Sequence, residues 1–429
     1  MSEDLRREMI EYLRGGAKPR AAWRTGLELE LIGYRNGDFT RLDAEDLAAI
    51  MAEFSDHLTT EDGAIIGACG PLGALSLEPG GQLEFSSKPY AHLDELEGSL
   101  KSYLEWLALA AKERGATFLG LGFDPLRRLD EQRWILKRRY RIMRPYLADR
   151  GRRAWDMMTR TASIQANIDF ESEADLASKF IVGNRLAPIA TAIFANSPFS
   201  EGRLSGRKSE RAAVWLETDS DRCGIAPPAL DDDFSLEQFL DWVATVPMFF
   251  IRRDDDYLDL SGRPFGEYWR SDPRLVFEDF TDHLTTIFTE ARLKRWLELR
   301  SADGGDLKQS LAIAAFWKGL LYSPAALDGA WRLGPRLSRH EFRELQHHVA
   351  RNGLAAEYGQ IKVLDLAREA LALALAGLRE IAPDEVDHLG AVAERVKNEG
   401  LAPADILIRN FQGSWHGRVE RLVEYLRVA

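Results

Sequence analysis

Cysteine is nearly absent: Cys69 and Cys223 are the only two in 429 residues. That excludes a disulfide-stapled scaffold, leaves room for one bridge at most, and fits a reducing compartment, so a cytoplasmic location is expected. No apolar run reaches the roughly 20 residues that a membrane-spanning helix needs. The N-terminus, MSEDLRREMIEYLRGG, is charged rather than signal-like, and no membrane partner is expected. An excess of positive charge is missing too. The net charge of −12 argues against general nucleic-acid binding. Zinc spacings such as HExxH or CxxC do not occur, and the 8 histidines are scattered. There is no GxxxxGK[ST] loop, and GLGF at 120–123 is too short to mark a dinucleotide site.

What is present suits a large globular core: 45% of residues are hydrophobic and 29% charged. Strand patterns concentrate before residue 305 and helical patterns after it, which predicts an α+β body over 1–305 and a helical region over 306–429 packed on it as one integrated unit. Short-range signals predict a helix over 2–14 with Ser2 as N-cap, helices near 43–56 and 92–114, and a helix over 173–194 kinked at Pro188. The same signals predict a hairpin through Glu78-Pro79-Gly80-Gly81, strands over 117–123 and 292–300, and a polar loop over 207–224.

Four strand segments share one unusual polar face. In WRTGLELELIGY (23–34), Leu27, Leu29 and Leu31 alternate with Glu28 and Glu30. Gln82 and Glu84 repeat the pattern, as do Ser163, Gln165, Asn167 and Asp169, and Trp296, Glu298 and Arg300. An ordinary solvent face mixes Thr, Ser and Lys, and lysine is missing from these positions. Carboxylates gathered on one face repel unless cations lie between them, and such oxygens are ligands for hard divalent ions. Mg²⁺ or Mn²⁺ is therefore expected, with phosphate as co-ligand, because Mg²⁺ is seldom caged by protein alone. From Arg127 to Arg153 there are eleven Lys or Arg against three Asp or Glu, either a solvated face or a polyphosphate cradle. The residues thus predict a sheet-borne, metal-rich ATP site without a P-loop.

Longer segments carry a resemblance. GLELELIGY is similar to the GTEHEKFGF motif of plant-type and proteobacterial glutamate–cysteine ligases, and LEPGGQLEFSS to that family's LEPGGQFELSG. FLGLGFDP, KRRYRIMRPY, DMMTRTASIQANIDF, WLETDSDRCG and RLKRWLELRSADGG follow in family order. The resemblance implies a glutamine-synthetase-like fold with a curved, mostly antiparallel sheet. It also implies a reaction in which ATP phosphorylates the γ-carboxylate of glutamate and the amine of cysteine attacks the acyl phosphate, the first step of glutathione synthesis.

By position, the resemblance implies Glu28, Glu30, Glu84 and Glu298 as metal ligands, with Glu84 and Arg300 at the reacting phosphoryl group. It implies Gln165, Asn167, Lys137 and Arg139 at the nucleotide. Arg211, Arg222, Trp215, Tyr140, Arg144, Met157 and Met158 are implied around glutamate and cysteine, and the enzyme is expected as a monomer or homodimer. The chain departs from the family at Leu27, Leu29 and Leu31, where the motif has Thr, His and Lys, and at DMMTRTASIQAN, where it has DMMFRTCTVQVN. These changes leave open a γ-glutamyl ligase using another amine, or a non-catalytic paralogue that binds glutamate or nucleotide. With two cysteines, the redox regulation of plant members is not carried over.

Overall fold

The computed structural model describes residues 3–429 except 136, 255 and 273; Ser2, expected as an N-cap, lies outside them. A nine-stranded sheet organises the chain. Its strands are β1 Thr25–Arg35, β2 Leu58–Glu61, β3 Ala64–Cys69, β4 Gly73–Leu77, β5 Leu83–Ser87, β6 Ala116–Leu119, β7 Ser163–Ile168, β8 Ala291–Leu293 and β9 Leu297–Asp303. They pair in the order β8-β9-β7-β1-β5-β4-β3-β2, with β6 pairing the far end of β1, and every pair is antiparallel.

The period of two in β1 fixes which face is buried. Leu27, Leu29 and Leu31 are at most 1% exposed and join Ile164, Ala166, Leu297 and Leu299 in one core. Helix Leu307–Tyr322 lies in the same core, with every residue from Ser310 to Tyr322 buried. It meets helix Val363–Ile381 closely enough that a Cβ on Gly319 would lie 2.2 Å from the Ala374 carbonyl oxygen, so this crossing admits only glycine. The C-terminus is stitched to β6: Phe118 N–H donates to the Ala429 carbonyl at 2.7 Å, and Val428 N–H to the Phe118 carbonyl at 2.9 Å. No single helix among the described residues is long and apolar enough to cross a membrane.

Several local expectations change. The single strand over 292–300 is a hairpin that turns at 294–296, and β6 ends at Leu119 rather than 123. The helix over 173–194 is two helices, Glu173–Arg185 and Ala187–Ile193, with Pro188 in the first turn of the second, where its missing N–H costs nothing. The polar loop over 207–224 contains helix Glu210–Leu216, because the Ser209 side chain caps it by accepting from Ala212 N–H at 3.0 Å. Helix Arg138–Ala148 occupies the middle of the basic run, and helix Ala154–Arg160 follows directly after it. The turn between β2 and β3 was not anticipated; its Asp62 ion-pairs with Arg138 and Arg141.

Candidate active site

The polar face of the central strands opens into a cavity of about 390 Å³. Register brings the carboxylates together: Glu30 on β1 lies directly opposite Glu84 on β5, and Glu28 opposite Gln165 on β7. Glu78, from the turn after β4, adds a fourth carboxylate to the lining. Arg139, Arg211, Arg292, Lys294 and Arg300 also face the cavity. Tyr140, Met143, Met157, Met158 and Phe250, which pack together in a small core of their own, form an apolar wall.

Neighbours aim each carboxylate. Glu30 accepts from Ser163 N–H at 2.7 Å and from the Gln165 amide at 3.1 Å. Glu28 accepts from the Asn167 amide at 3.1 Å, and Glu84 from the Ser86 hydroxyl at 3.1 Å. Crowding and burial penalise their charged forms. Glu30 is pushed up to about 7 by burial and by Glu78, against the pull of Arg211 and Arg300. Glu84 is raised well above the usual carboxylate range by burial and then by Glu28, Glu78 and Glu30. Glu28 is raised by burial and by Glu298. A divalent cation among these oxygens would relieve that cost. Glu28, Glu30, Glu78 and Glu84 form a donor set of hard oxygen ligands, so the residues present fit Mg²⁺ or Mn²⁺.

The cations are arranged differently. Arg300 donates to Gln165 and to Glu298, and its backbone carbonyl accepts from Arg211 at 2.6 Å. Arg211 and Arg139 line the cavity without an ion pair among the described residues, and Arg139 Nε is buried with no partner. A guanidinium kept without a counter-ion is a receptor for a ligand anion. Helix Glu210–Leu216 holds Arg211 rigidly: Asp303 accepts from Ser197 and Ser209 at the start of that helix, at 2.7 and 2.8 Å.

Of the residues singled out in the sequence, Glu28, Glu30, Gln82, Glu84, Arg139, Tyr140, Met157, Met158, Ser163, Gln165, Arg211, Trp215 and Arg300 line this one cavity. The others do not. Glu298 is fully buried behind it, and Arg292, Lys294 and Arg300 hold its carboxylate well below the usual range, against its desolvation. In this arrangement it is a counter-ion to three cations rather than an open metal ligand. Asn167 reaches the cavity only through Glu28 and accepts from the Trp296 indole at 2.9 Å. Lys137 packs over the Tyr140 ring at 5.8 Å, and burial lowers its amine to about 8. Arg144 is held between Trp134 and Trp155, 4.2 and 5.0 Å from their ring centres, so aromatic stacking rather than substrate occupies its guanidinium.

Arg222 is the clearest departure. It is fully buried, pairs with buried Asp219 at 2.7 Å, and donates to the Pro247 carbonyl at 2.6 Å. Its guanidinium has no face left for a substrate carboxylate. Arg222→Gln should leave buried Asp219 with only its longer ion-pair contact to Arg150, at 3.6 Å, and cost about 3 kcal/mol of stability. A lowered thermal midpoint with an unchanged KM for glutamate is the expected result, and a raised KM at unchanged stability would overturn it.

Sequence reasoning missed Glu78, Arg292 and Lys294. Glu78 was visible only as part of a turn signal, and the other two as members of a strand that is in fact a hairpin. Most cations of the basic run are engaged locally, for example Arg133 with Asp43, Arg152 with Glu217 and Arg153 with Glu210; only Arg139 of that run faces the cavity.

Comparison with known proteins places this geometry in a family. The model of glutamate–cysteine ligase family 2 matches residues 24–425. The chain is 37% identical to the chloroplastic glutamate–cysteine ligase of Brassica juncea, across 98% of this chain and 84% of that protein. Against the chloroplastic enzyme of Arabidopsis thaliana identity is 38%, across 98% and 82%. In fold the chain resembles a glutamate–cysteine ligase of Francisella tularensis crystallised with AMP, with a TM-score of 0.58 and 14% identity over 94% of this chain and 87% of that one. The chloroplastic relatives overturn the cytoplasmic location expected from cysteine scarcity, because few cysteines report a reducing environment and not which membrane encloses it. At this identity, over nearly the full length, the chain belongs to glutamate–cysteine ligase family 2.

Proposed function

We propose that the chain joins the γ-carboxylate of glutamate to the amine of cysteine, using ATP and passing through γ-glutamyl phosphate. The observation that carries this reading is one cavity with a carboxylate wall, uncompensated guanidinium groups and an apolar wall. The γ-carboxylate oxygen attacks the γ-phosphorus of ATP, ADP leaves, and the acyl phosphate forms. The amine then attacks the acyl carbon, phosphate departs with the C–O bonding electrons, and the amine gives up a proton. Arg300 lies where it can offset charge on the transferring phosphoryl group. Arg211 and Arg139 suit the carboxylates and phosphates of the substrates. The methionine wall suits the cysteine side chain. Glu28, Glu30, Glu78 and Glu84 would hold Mg²⁺ or Mn²⁺, which when bound lowers the charge repulsion between nucleotide and carboxylate. Glu298 would join them only by giving up Lys294 or Arg300.

The test is phosphate release by the purified chain with ATP, Mg²⁺ and glutamate across a panel of amines. Release that depends on cysteine is expected. Release only with another amine would change the acceptor, and no release with any amine would remove the catalytic reading.

A further inference from the structure

A second cavity, of about 480 Å³, shares no lining residue with the first. Helices Leu93–Glu113, Leu307–Tyr322, Asp387–Glu399 and Pro403–Gln412 enclose it with the C-terminal segment 425–428. Its volume falls within the roughly 300–1,000 Å³ of small-molecule sites. Phe194, Leu311, Val392 and Leu407 give it an apolar wall.

Asp306, Lys308 and Arg427 line this cavity too, and two further poles of charge are set apart along helix Asp387–Glu399. At one, Arg395 Nε donates to the Leu401 carbonyl at 3.1 Å, which orients the guanidinium, and the group forms no ion pair among the described residues. Burial lowers its pKa, against the pull of Glu399, Asp306 and Asp405, none of which is within ion-pair distance. At the other pole, Asp387 and Glu97 face the cavity beside His388, and neither carboxylate has an ion-pair partner among the described residues. Asp387 and Arg395 are eight residues apart on one helix, about 12 Å along its axis at 1.5 Å per residue. A free amino acid carries its amine and carboxylate on one carbon and cannot reach both poles. Three extended residues span about 10–11 Å and can.

We propose that this cavity binds a short zwitterionic peptide of three residues, its carboxylate on Arg395, its amine on Asp387 and Glu97, and a side chain on the apolar wall. The site is independent of the ligase reading.

Calorimetric titration of the full chain with glycyl-leucyl-glycine tests it. Saturable binding is expected, weakened at least tenfold by N-acetylation, by C-terminal amidation, and by Arg395→Gln or Asp387→Asn. Ala391→Trp, which fills the cavity from an exposed helical position and removes no charge, should abolish binding while leaving phosphate release unchanged. Arg211→Gln, in the other cavity, should leave peptide binding intact. No saturable binding up to about 10 mM, a level weaker than roughly −3 kcal/mol, would overturn the proposal. So would binding that is lost with Arg211→Gln and retained with Ala391→Trp, since the peptide would then occupy the first cavity.

Discussion

Glu84→Gln is expected to remove ligase turnover and, in the metal-free protein, to raise the thermal midpoint. Glu84 lies opposite Glu30 in the sheet register, with Glu28 and Glu78 close by. Losing one oxygen anion from this set weakens the hold on a divalent ion and the charge balance of phosphoryl transfer, for an expected loss of at least roughly 10³-fold in kcat. Stability moves the other way, because a neutral amide ends a repulsion that the folded state must carry.

The pH dependence has a definite sign. Folded Glu30 titrates at about 7, above the 4.5 of an ordinary glutamate, and Glu84 is also raised. Between these values the unfolded chain has released a proton that the folded chain retains. The contribution is therefore fully present below about 4.5 and is lost as pH rises through about 7. Metal-free protein should melt lower at pH 8 than at pH 5.5. Mg²⁺ or Mn²⁺ should flatten that slope, and Glu84→Gln should reduce it. Near wild-type turnover in the variant, or a slope indifferent to metal, would sink the metal assignment of Glu84.

The acidic face was legible because a strand repeats every two residues. Once Leu27, Leu29 and Leu31 are assigned to the core, Glu28 and Glu30 must share the other face, and the same logic places Glu84 and Gln165. Position along a strand does not reveal pairing, however. Arg292 meets Glu298 because β8 folds back on β9 after a turn at 294–296, and an unbroken run of strand-like residues gives no sign of that turn. Glu78 reaches the cavity because the turn carrying it packs tightly: a Cβ on Gly80 would lie 2.3 Å from the Thr159 carbonyl oxygen. That approach depends on a residue 79 positions away. Arg222 and Arg211 look alike in sequence, both arginines in a polar stretch. Both are buried, and only the ion pair with Asp219 separates a structural arginine from a guanidinium that faces the cavity.

Arg300 carries the second large effect. Its guanidinium lines the cavity while donating to Gln165 and Glu298, so its plane and position are fixed before any substrate arrives. Such pre-organisation favours the transition state, where charge spreads over the phosphoryl oxygens, more than the ground state. Arg300→Gln should lower kcat by roughly 10³-fold, in the range of arginines that stabilise phosphoryl transfer. Arg292 and Lys294 still neutralise Glu298 in that variant, so the fold should hold. Arg300→Lys keeps the charge but loses the fork that contacts two partners and a ligand together, and should recover little of the rate. Single-turnover phosphate release with saturating ATP and glutamate separates the possibilities. A fall in the chemical rate with KM nearly unchanged is the expected outcome. A raised KM at an unchanged rate would reduce Arg300 to a ground-state binding residue and leave Arg211 and Arg139 as the remaining candidates for stabilising the transferring group.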